Sequence, residues 1–227
     1  MITRSGKWIW MSLAALALFL LWQPTARADS YDVTINTSAL VGSSSGPFQI
    51  LVALEDANGN GDGNNTATIS DFSAGAGSVG SLSTGGGVSG SLAGNLTFTD
   101  SDPSGLNYAM ADFTPGSTIS FNFSMTSFPD SNPSATGFPG DEFLFFILDG
   151  TGNPITTTDG STPDTFFLAI VQGSSGLSAQ GFNIPGAAPT VVTSTSVPEP
   201  STILLLAAGI LALGLLGFGA RKRCWAV

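Results

Sequence analysis

The chain has 227 residues, and its 16 acidic and 6 basic side chains give a formal charge of −10, with no histidine and one cysteine. All six basic residues lie near the ends, so residues 29–197 carry 15 carboxylates and a formal charge of −15. This middle segment has no His, Lys, Arg, Cys or Trp. That composition excludes imidazole bases, Schiff-base lysines, thiolate nucleophiles, disulfides and the usual zinc or copper sites. Nucleic acid is also an unfavourable partner, because the segment offers no cation to phosphate.

The N-terminus has the three parts of a secretory signal. A basic start precedes an apolar stretch from Trp8 to Trp22, and the small residues Ala26 and Ala28 then lie just before a predicted cleavage site. We expect signal peptidase to cut after Ala28, so that residues 1–28 form a signal helix and the mature chain begins at Asp29, outside the cytoplasm. The alternative is an uncleaved anchor helix.

The segment that follows is patterned as an all-β domain. Apolar and polar residues alternate with period two in residues 31–36 and 119–126, which places one set of side chains on a buried face. Residues 143–148 and 166–171 are apolar at nearly every position, as in strands covered on both faces of a sheet. We expect eight to ten strands in one antiparallel β-sandwich or jelly roll over residues 29–185.

Two stretches leave their structure open. Residues 73–94 are rich in glycine and serine, and they predict either a flexible loop, which is slightly favoured, or strands with apolar residues at Val79, Leu82, Val88 and Leu92. Residues 186–197, rich in Pro, Thr, Ser and Val, predict a stalk between the domain and the membrane.

The phenylalanines of this domain predict its core rather than a ligand platform. Fourteen of the sixteen in the chain lie here, and phenylalanine needs no hydrogen-bond partner when buried. Sugar-binding modules usually stack sugars on exposed Trp or Tyr, and the domain offers only Tyr31 and Tyr108. The composition therefore weakens a carbohydrate-binding function without removing it.

A loop of alternating oxygen-bearing residues predicts a calcium site. Residues 56–64 match the first half of a calcium loop, in which alternate side-chain oxygens converge on the ion and glycine allows a sharp turn. The candidate ligands are Asp56, Asn58, Asn60, Asp62 and Asn64. A complete EF-hand would need a glutamate where Ala67 stands, and the alternative is a polar turn that uses Gly and Asn for positive φ.

Asp141 and Glu142 form a second acidic feature, a pair of carboxylates adjacent in the sequence. Glycosidases use two carboxylates, so residue type alone does not exclude a hydrolase. Neighbouring strand residues, however, point to opposite faces. We therefore expect Asp141 and Glu142 to begin a strand and stay solvated, and we predict that the protein is not an enzyme and has no catalytic residues.

The C-terminus combines three features in a fixed order. Pro198-Glu199-Pro200 disfavours helix, residues 203–220 form an uncharged run of about 27 Å as a helix, and Arg221-Lys222-Arg223 follows at once. The length predicts a transmembrane helix, and the basic cluster predicts that the chain end stays cytoplasmic while the acidic domain lies outside.

This order resembles the PEP-CTERM sorting signal over residues 197–223. The resemblance implies recognition by an exosortase-type membrane protease in a Gram-negative bacterium, temporary anchoring through residues 203–220, and then release at the cell surface or into the extracellular matrix. In that family such proteins accompany exopolysaccharide and biofilm. The tail after Arg223 departs from the pattern.

The domain also resembles an uncharacterised β-rich group of PEP-CTERM proteins over roughly residues 31–172. The resemblance rests on residues 62–72, 113–118 and 143–149, and it implies kinship without a known biochemical role. We therefore expect a non-catalytic exported surface or matrix protein, sorted through residues 198–227 and associated with exopolysaccharide or biofilm. The alternative is a calcium-dependent adhesin or carbohydrate-binding module.

Overall fold

The computed structural model describes residues 27–56, 61–127, 140–160, 165–173 and 176–195. The predicted signal helix, Ala26, the candidate ligands Asn58 and Asn60, and the whole sorting signal with its predicted helix 203–220 lie outside these residues. In the described part of the chain, no helix is long and apolar enough to cross a membrane.

The described residues form two antiparallel sheets, as expected for an all-β fold, and their arrangement is consistent with a β-sandwich. The six-stranded sheet has the order β13 (Val191–Thr195), β1 (Arg27–Asn36), β9 (Thr118–Ser127), β3 (Thr66–Ser73), β7 (Leu96–Thr99) and β6 (Gly87–Gly90). The seven-stranded sheet has the order β12 (Gly176–Gly181), β11 (Leu168–Gly173), β10 (Glu142–Leu148), β2 (Phe48–Glu55), β8 (Leu106–Thr114) and β4 (Ser78–Val79), with β5 (Ser83–Gly85) also paired to β8.

The main core lies between the two sheets, and phenylalanine is its most frequent residue. The alternation predicted for residues 119–126 is confirmed, since Ile119, Phe121, Phe123 and Met125 are buried and face the other sheet. The ring of Phe123 lies 4.4 Å from that of Phe143 in β10, and Phe121 stacks on Phe145 at 5.6 Å. These ring contacts join the sheets without any polar group, as the predicted phenylalanine core requires.

Strand β10 lies at the centre of its sheet and is covered on both faces, as its composition predicts. Every residue of β10 is buried. Phe143, Phe145 and Ile147 face the main core. The alternate residues Leu144, Phe146 and Leu148 form a second apolar layer on the outer face, together with Ala169 and the flanking rings of Phe166 and Phe182.

The glycine-rich stretch 73–94 adopts the alternative with strands. It contributes β4, β5 and β6, and with these short strands the described residues hold thirteen strands, more than the eight to ten expected. Glycine is required here by close packing, because a Cβ on Gly85 would collide with the ring of Tyr108. Glycine has no side chain, so the residues that make this stretch resemble a flexible linker also allow its backbone to approach β8.

The segment predicted to be a stalk includes an edge strand of the six-stranded sheet. Residues 191–195 form β13, which lies beside β1. Strand β1 itself begins at Arg27, so the cleavage predicted after Ala28 would leave Asp29–Asn36 in the sheet.

Candidate functional site

Five buried polar side chains meet at one end of the sandwich, and we call them the inter-sheet polar cluster. They are Asp56 (4 % exposed), Asn65 (0 %), Asp100 (0 %), Asp141 (0 %) and Gln172 (2 %). Each stands at or near a strand end: Asp56 follows β2, Asn65 precedes β3, Asp100 follows β7, Asp141 precedes β10 and Gln172 lies near the end of β11. Because neighbouring strands run antiparallel, these starts and ends meet at the same edge of the fold.

The side-chain amide of Asn65 is the centre of this cluster. Its Nδ2 donates to Oδ2 of Asp141 at 2.7 Å, to Oε1 of Gln172 at 3.1 Å and to Oδ1 of Asn64 at 2.5 Å. Its backbone N–H donates to both carboxylate oxygens of Asp100 at 3.1 Å. Asn65 thus brings side-chain oxygens from both sheets around one amide group.

Asp100 and Asp141 are hydrogen-bonded to each other through their side chains. Burial raises the pKa of Asp100 to about 6, and the hydrogen bonds from Asp141 and the Asn65 backbone only partly offset the effect of burial. The negative charges of Asp62 and Asp56 raise the pKa further.

The predicted calcium loop borders the cluster. Asp56 accepts a 2.6 Å hydrogen bond from the backbone N–H of Gly61, which adopts φ +65°. Asp62 is exposed and accepts hydrogen bonds from the backbone and the side-chain amide of Asn64 at 3.0 and 2.8 Å. Of the five predicted ligands, Asp56 therefore belongs to the cluster, Asp62 and Asn64 lie beside it, and Asn58 and Asn60 lie outside the described residues.

Sequence reasoning missed most of the cluster. Asn65 lies 35 residues from Asp100, 76 from Asp141 and 107 from Gln172. No local spacing connects residues so far apart, and of the residues missed only Gln172 directly follows a segment given above as a predicted strand, residues 166–171.

The expectation that Asp141 and Glu142 stay solvated was wrong, although they do point to opposite faces. Asp141 enters the inter-sheet cluster, whereas Glu142, only 9 % exposed, lies on the outer face directly opposite Glu55 of β2. Burial raises the pKa of Glu142 to about 7, and the charges of Glu55 and Asp159 contribute. The two carboxylates are buried because β10 is covered on both sides, and one substrate could not contact both.

Aromatic side chains available for sugar stacking are fewer than the sequence suggested. Tyr31 is 8 % exposed, and its hydroxyl donates to the Leu177 carbonyl at 2.9 Å. The half-buried ring of Tyr108 packs against Gly85. The structure therefore leaves Tyr31 buried and Tyr108 half-buried, so neither is a fully exposed ring.

Among the residues that the structure describes, no group of three or more His, Cys, Asp or Glu side chains is arranged to hold a metal ion. The inter-sheet cluster instead mixes carboxylates with carboxamides, all of them oxygen-bearing. No protein-family model, curated protein or solved structure matches the chain.

Proposed function

We propose that this chain is an exported, non-catalytic protein of the cell surface or extracellular matrix, processed by an exosortase-type protease. The observation that carries the proposal is the order of Pro198-Glu199-Pro200, the apolar run 203–220 and Arg221-Lys222-Arg223 at the C-terminus. This order supplies an extended recognition segment, a membrane anchor and a stop to transfer. The N-terminal signal supplies export, and the resemblance to PEP-CTERM proteins supplies the link to exopolysaccharide and biofilm.

The chemistry of the β domain supports a non-catalytic role. The segment between the termini contains no His, Lys, Arg or Cys, so any acid–base chemistry would depend on carboxylates or tyrosine. Asp141 and Glu142, the adjacent carboxylates that a hydrolase could have used, lie on opposite faces of β10.

Intact mass spectrometry of the mature protein tests the processing step. In cells that contain an exosortase, we expect a mature species that has lost residues 203–227, and we expect the Pro198→Ala/Pro200→Ala double variant to retain them. Pro189→Ala, a proline substitution outside the motif, is the matched control and should be processed normally. A mature wild-type species that still carries residues 203–227 would contradict the proposal.

A second candidate function, a calcium-dependent adhesin or carbohydrate-binding module, is favoured by the inter-sheet polar cluster. Calcium binds through oxygen ligands from carboxylates, carboxamides and backbone carbonyls, and the cluster with the loop beside it offers no other kind of ligand. The carboxylates in and beside the cluster are Asp56, Asp62, Asp100 and Asp141, and they would have to move together to bind the ion, because no three described acids are arranged to hold one. Nδ2 of Asn65 already donates to oxygens of Asp141, Gln172 and Asn64, so binding of an ion at this place would require the amide to rotate or withdraw.

Calorimetry of the purified chain with calcium chloride tests this second candidate. We expect Asp100→Asn to weaken binding about tenfold or more, which corresponds to about 1.4 kcal/mol. Asp32→Asn changes an exposed carboxylate of β1 and should leave the affinity unchanged. Calcium binding that is equally strong in both variants would remove the cluster as the site.

A further inference from the structure

Glu142 is a buried carboxyl group for which the described residues provide no hydrogen-bond donor. Its side chain is 9 % exposed and lies on the outer face of the seven-stranded sheet, at one end of the second apolar layer. On this face its neighbours along and across the sheet are Leu144, Val171 and Glu55. Two of these are apolar and the third is another acid, so the sheet offers Glu142 nothing that would stabilise a negative charge.

A third carboxylate approaches from the segment that lies over this face. Asp159 accepts a 3.1 Å hydrogen bond from the backbone N–H of Phe166, whose ring packs edge-on against Phe146 of the apolar layer at 6.0 Å. Its negative charge acts on Glu142 together with that of Glu55. The negative charges of Glu55, from the neighbouring strand β2, and of Asp159, from the segment after β10, therefore both act on the buried Glu142 carboxyl group.

The β domain has no basic side chain that could neutralise these charges. The sequence contains no Lys, Arg or His between Arg27 and Arg221, so the segments of the domain outside the described residues cannot supply one either. A buried carboxylate without a partner is strongly disfavoured, and it is stabilised either by taking up a proton or by binding a cation. Glu55 directly opposite adds a second negative charge, which favours the cation, because one proton would neutralise only one of the two acids.

We propose that Glu142 and Glu55 form a divalent-cation site on the outer face of the seven-stranded sheet, with Asp159 adding charge to it. The carboxylate oxygens fit a hard cation such as calcium, and water and backbone carbonyls would complete the six to eight ligands that calcium takes. The site is separate from the inter-sheet polar cluster, because Glu142 and Asp141 point to opposite sides of β10. Calcium here would hold the segment that carries Asp159 against the outer face.

Calorimetric titration of the full chain in detergent, in mildly alkaline buffer with calcium chloride, tests the site. We expect Glu142→Gln to abolish one calcium-binding event, with affinity falling at least about tenfold. Asp100→Asn changes the inter-sheet cluster and should retain this event, as should the exposed control Asp32→Asn. Calcium binding by Glu142→Gln that matches the wild-type isotherm would overturn the site, and so would loss of all calcium binding in Asp100→Asn.

Urea unfolding in chelator guards against a trivial loss of folding. Glu142→Gln keeps the shape of the side chain and removes the unpaired charge, so we expect its unfolding midpoint to be at least as high as that of the wild type. Calcium should then raise the midpoint of the wild type but not that of the variant. A variant that is less stable in chelator would show that the Glu142 carboxylate has a stabilising partner within the protein and would overturn the proposal.

Discussion

Asp141 and Glu142 are neighbours in the chain, yet they lie in two different environments. Asp141 accepts a hydrogen bond from the Asn65 amide and shares another with Asp100, so polar side chains from both sheets satisfy it. Glu142 lies on an apolar outer face opposite Glu55. A domain without basic side chains can thus bury an acid in two ways. Amide groups of the protein surround Asp141, whereas Glu142 would be neutralised by the proposed cation from solution.

Removal of the Asn65 amide, which donates a hydrogen bond to Asp141, should lower the stability of the fold more than any other substitution below. Asn65→Ala deletes the donor to Asp141 and Gln172 and leaves a buried carboxylate without it, so we expect the free energy of unfolding to fall by about 3 kcal/mol. Urea unfolding with an unchanged slope measures this. Asn122→Ala is the control, because Asn122 donates to Asp71 at the surface and its loss should cost about 0.5 kcal/mol. Similar losses in both variants would mean that burial of Asp141 does not depend on its amide partner.

A glycine in the loop beside the cluster gives the next largest effect. A Cβ on Gly61 would collide with the backbone of Asp102, in addition to the strain of φ +65°, so Gly61→Ala should cost about 2 kcal/mol and displace the N–H that binds Asp56. Gly63 has a similar φ of +71°, but its Cβ would meet only the Ser101 side chain at 3.9 Å. Gly63→Ala should therefore cost about 1 kcal/mol. Equal unfolding midpoints for the two variants would contradict this account.

The pH dependence of stability should distinguish the two environments in the absence of metal. The pKa of Glu142 is raised from 4.5 to about 7, so between these values the folded protein holds more protons than the unfolded chain, and stability falls as pH rises. Asp100, with a pKa raised from 3.8 to about 6, acts in the same direction over a lower range. We expect a loss of about 1 to 2 kcal/mol between about pH 5 and pH 8 in chelator.

Glu142→Gln should remove the upper part of this pH dependence, from about pH 6 to pH 8, and leave the lower part, which belongs to Asp100. Urea midpoints measured across the range provide the comparison. Stability that rises from pH 5 to pH 8 in chelator would contradict the raised pKa of both groups.

The smallest expected effect comes from an acid that neither environment contains. Asp32 is exposed on β1, and Asp32→Asn should change the free energy of unfolding by less than about 0.5 kcal/mol at any pH in this range. Thermal unfolding measures it. A larger change would show that the total charge of the domain, rather than burial, governs its stability.

The residues from which the fold could be predicted are those with strong periodicity. The alternation in β9 and the continuous apolar run of β10 each depend on local sequence, and both were correctly assigned to a face. The favoured prediction of a flexible loop over residues 73–94 was wrong. The strands there use glycine to bring backbones close together, and composition alone cannot distinguish this use of glycine from flexibility.

The candidate sites were predictable only in part, and for a related reason. The loop at residues 56–64 carries a local spacing that indicates calcium, but Asp100 and Asp141 join it only through pairing between distant strands. Likewise, the burial of Glu142 follows from the apolar segment that covers the outer face. A single sequence shows that segment as apolar but does not show where it packs.

The position of β1 between β9 and β13 has a consequence for how the molecule is made. The first strand of the chain needs neighbours that are synthesised about 90 and about 160 residues later. A ribosome or a translocation channel that releases the polypeptide from its N-terminus would thus release an incomplete six-stranded sheet until Val191–Thr195 emerge. Such a chain would remain incompletely folded while it passes through the channel, and its six-stranded sheet would be completed only after release.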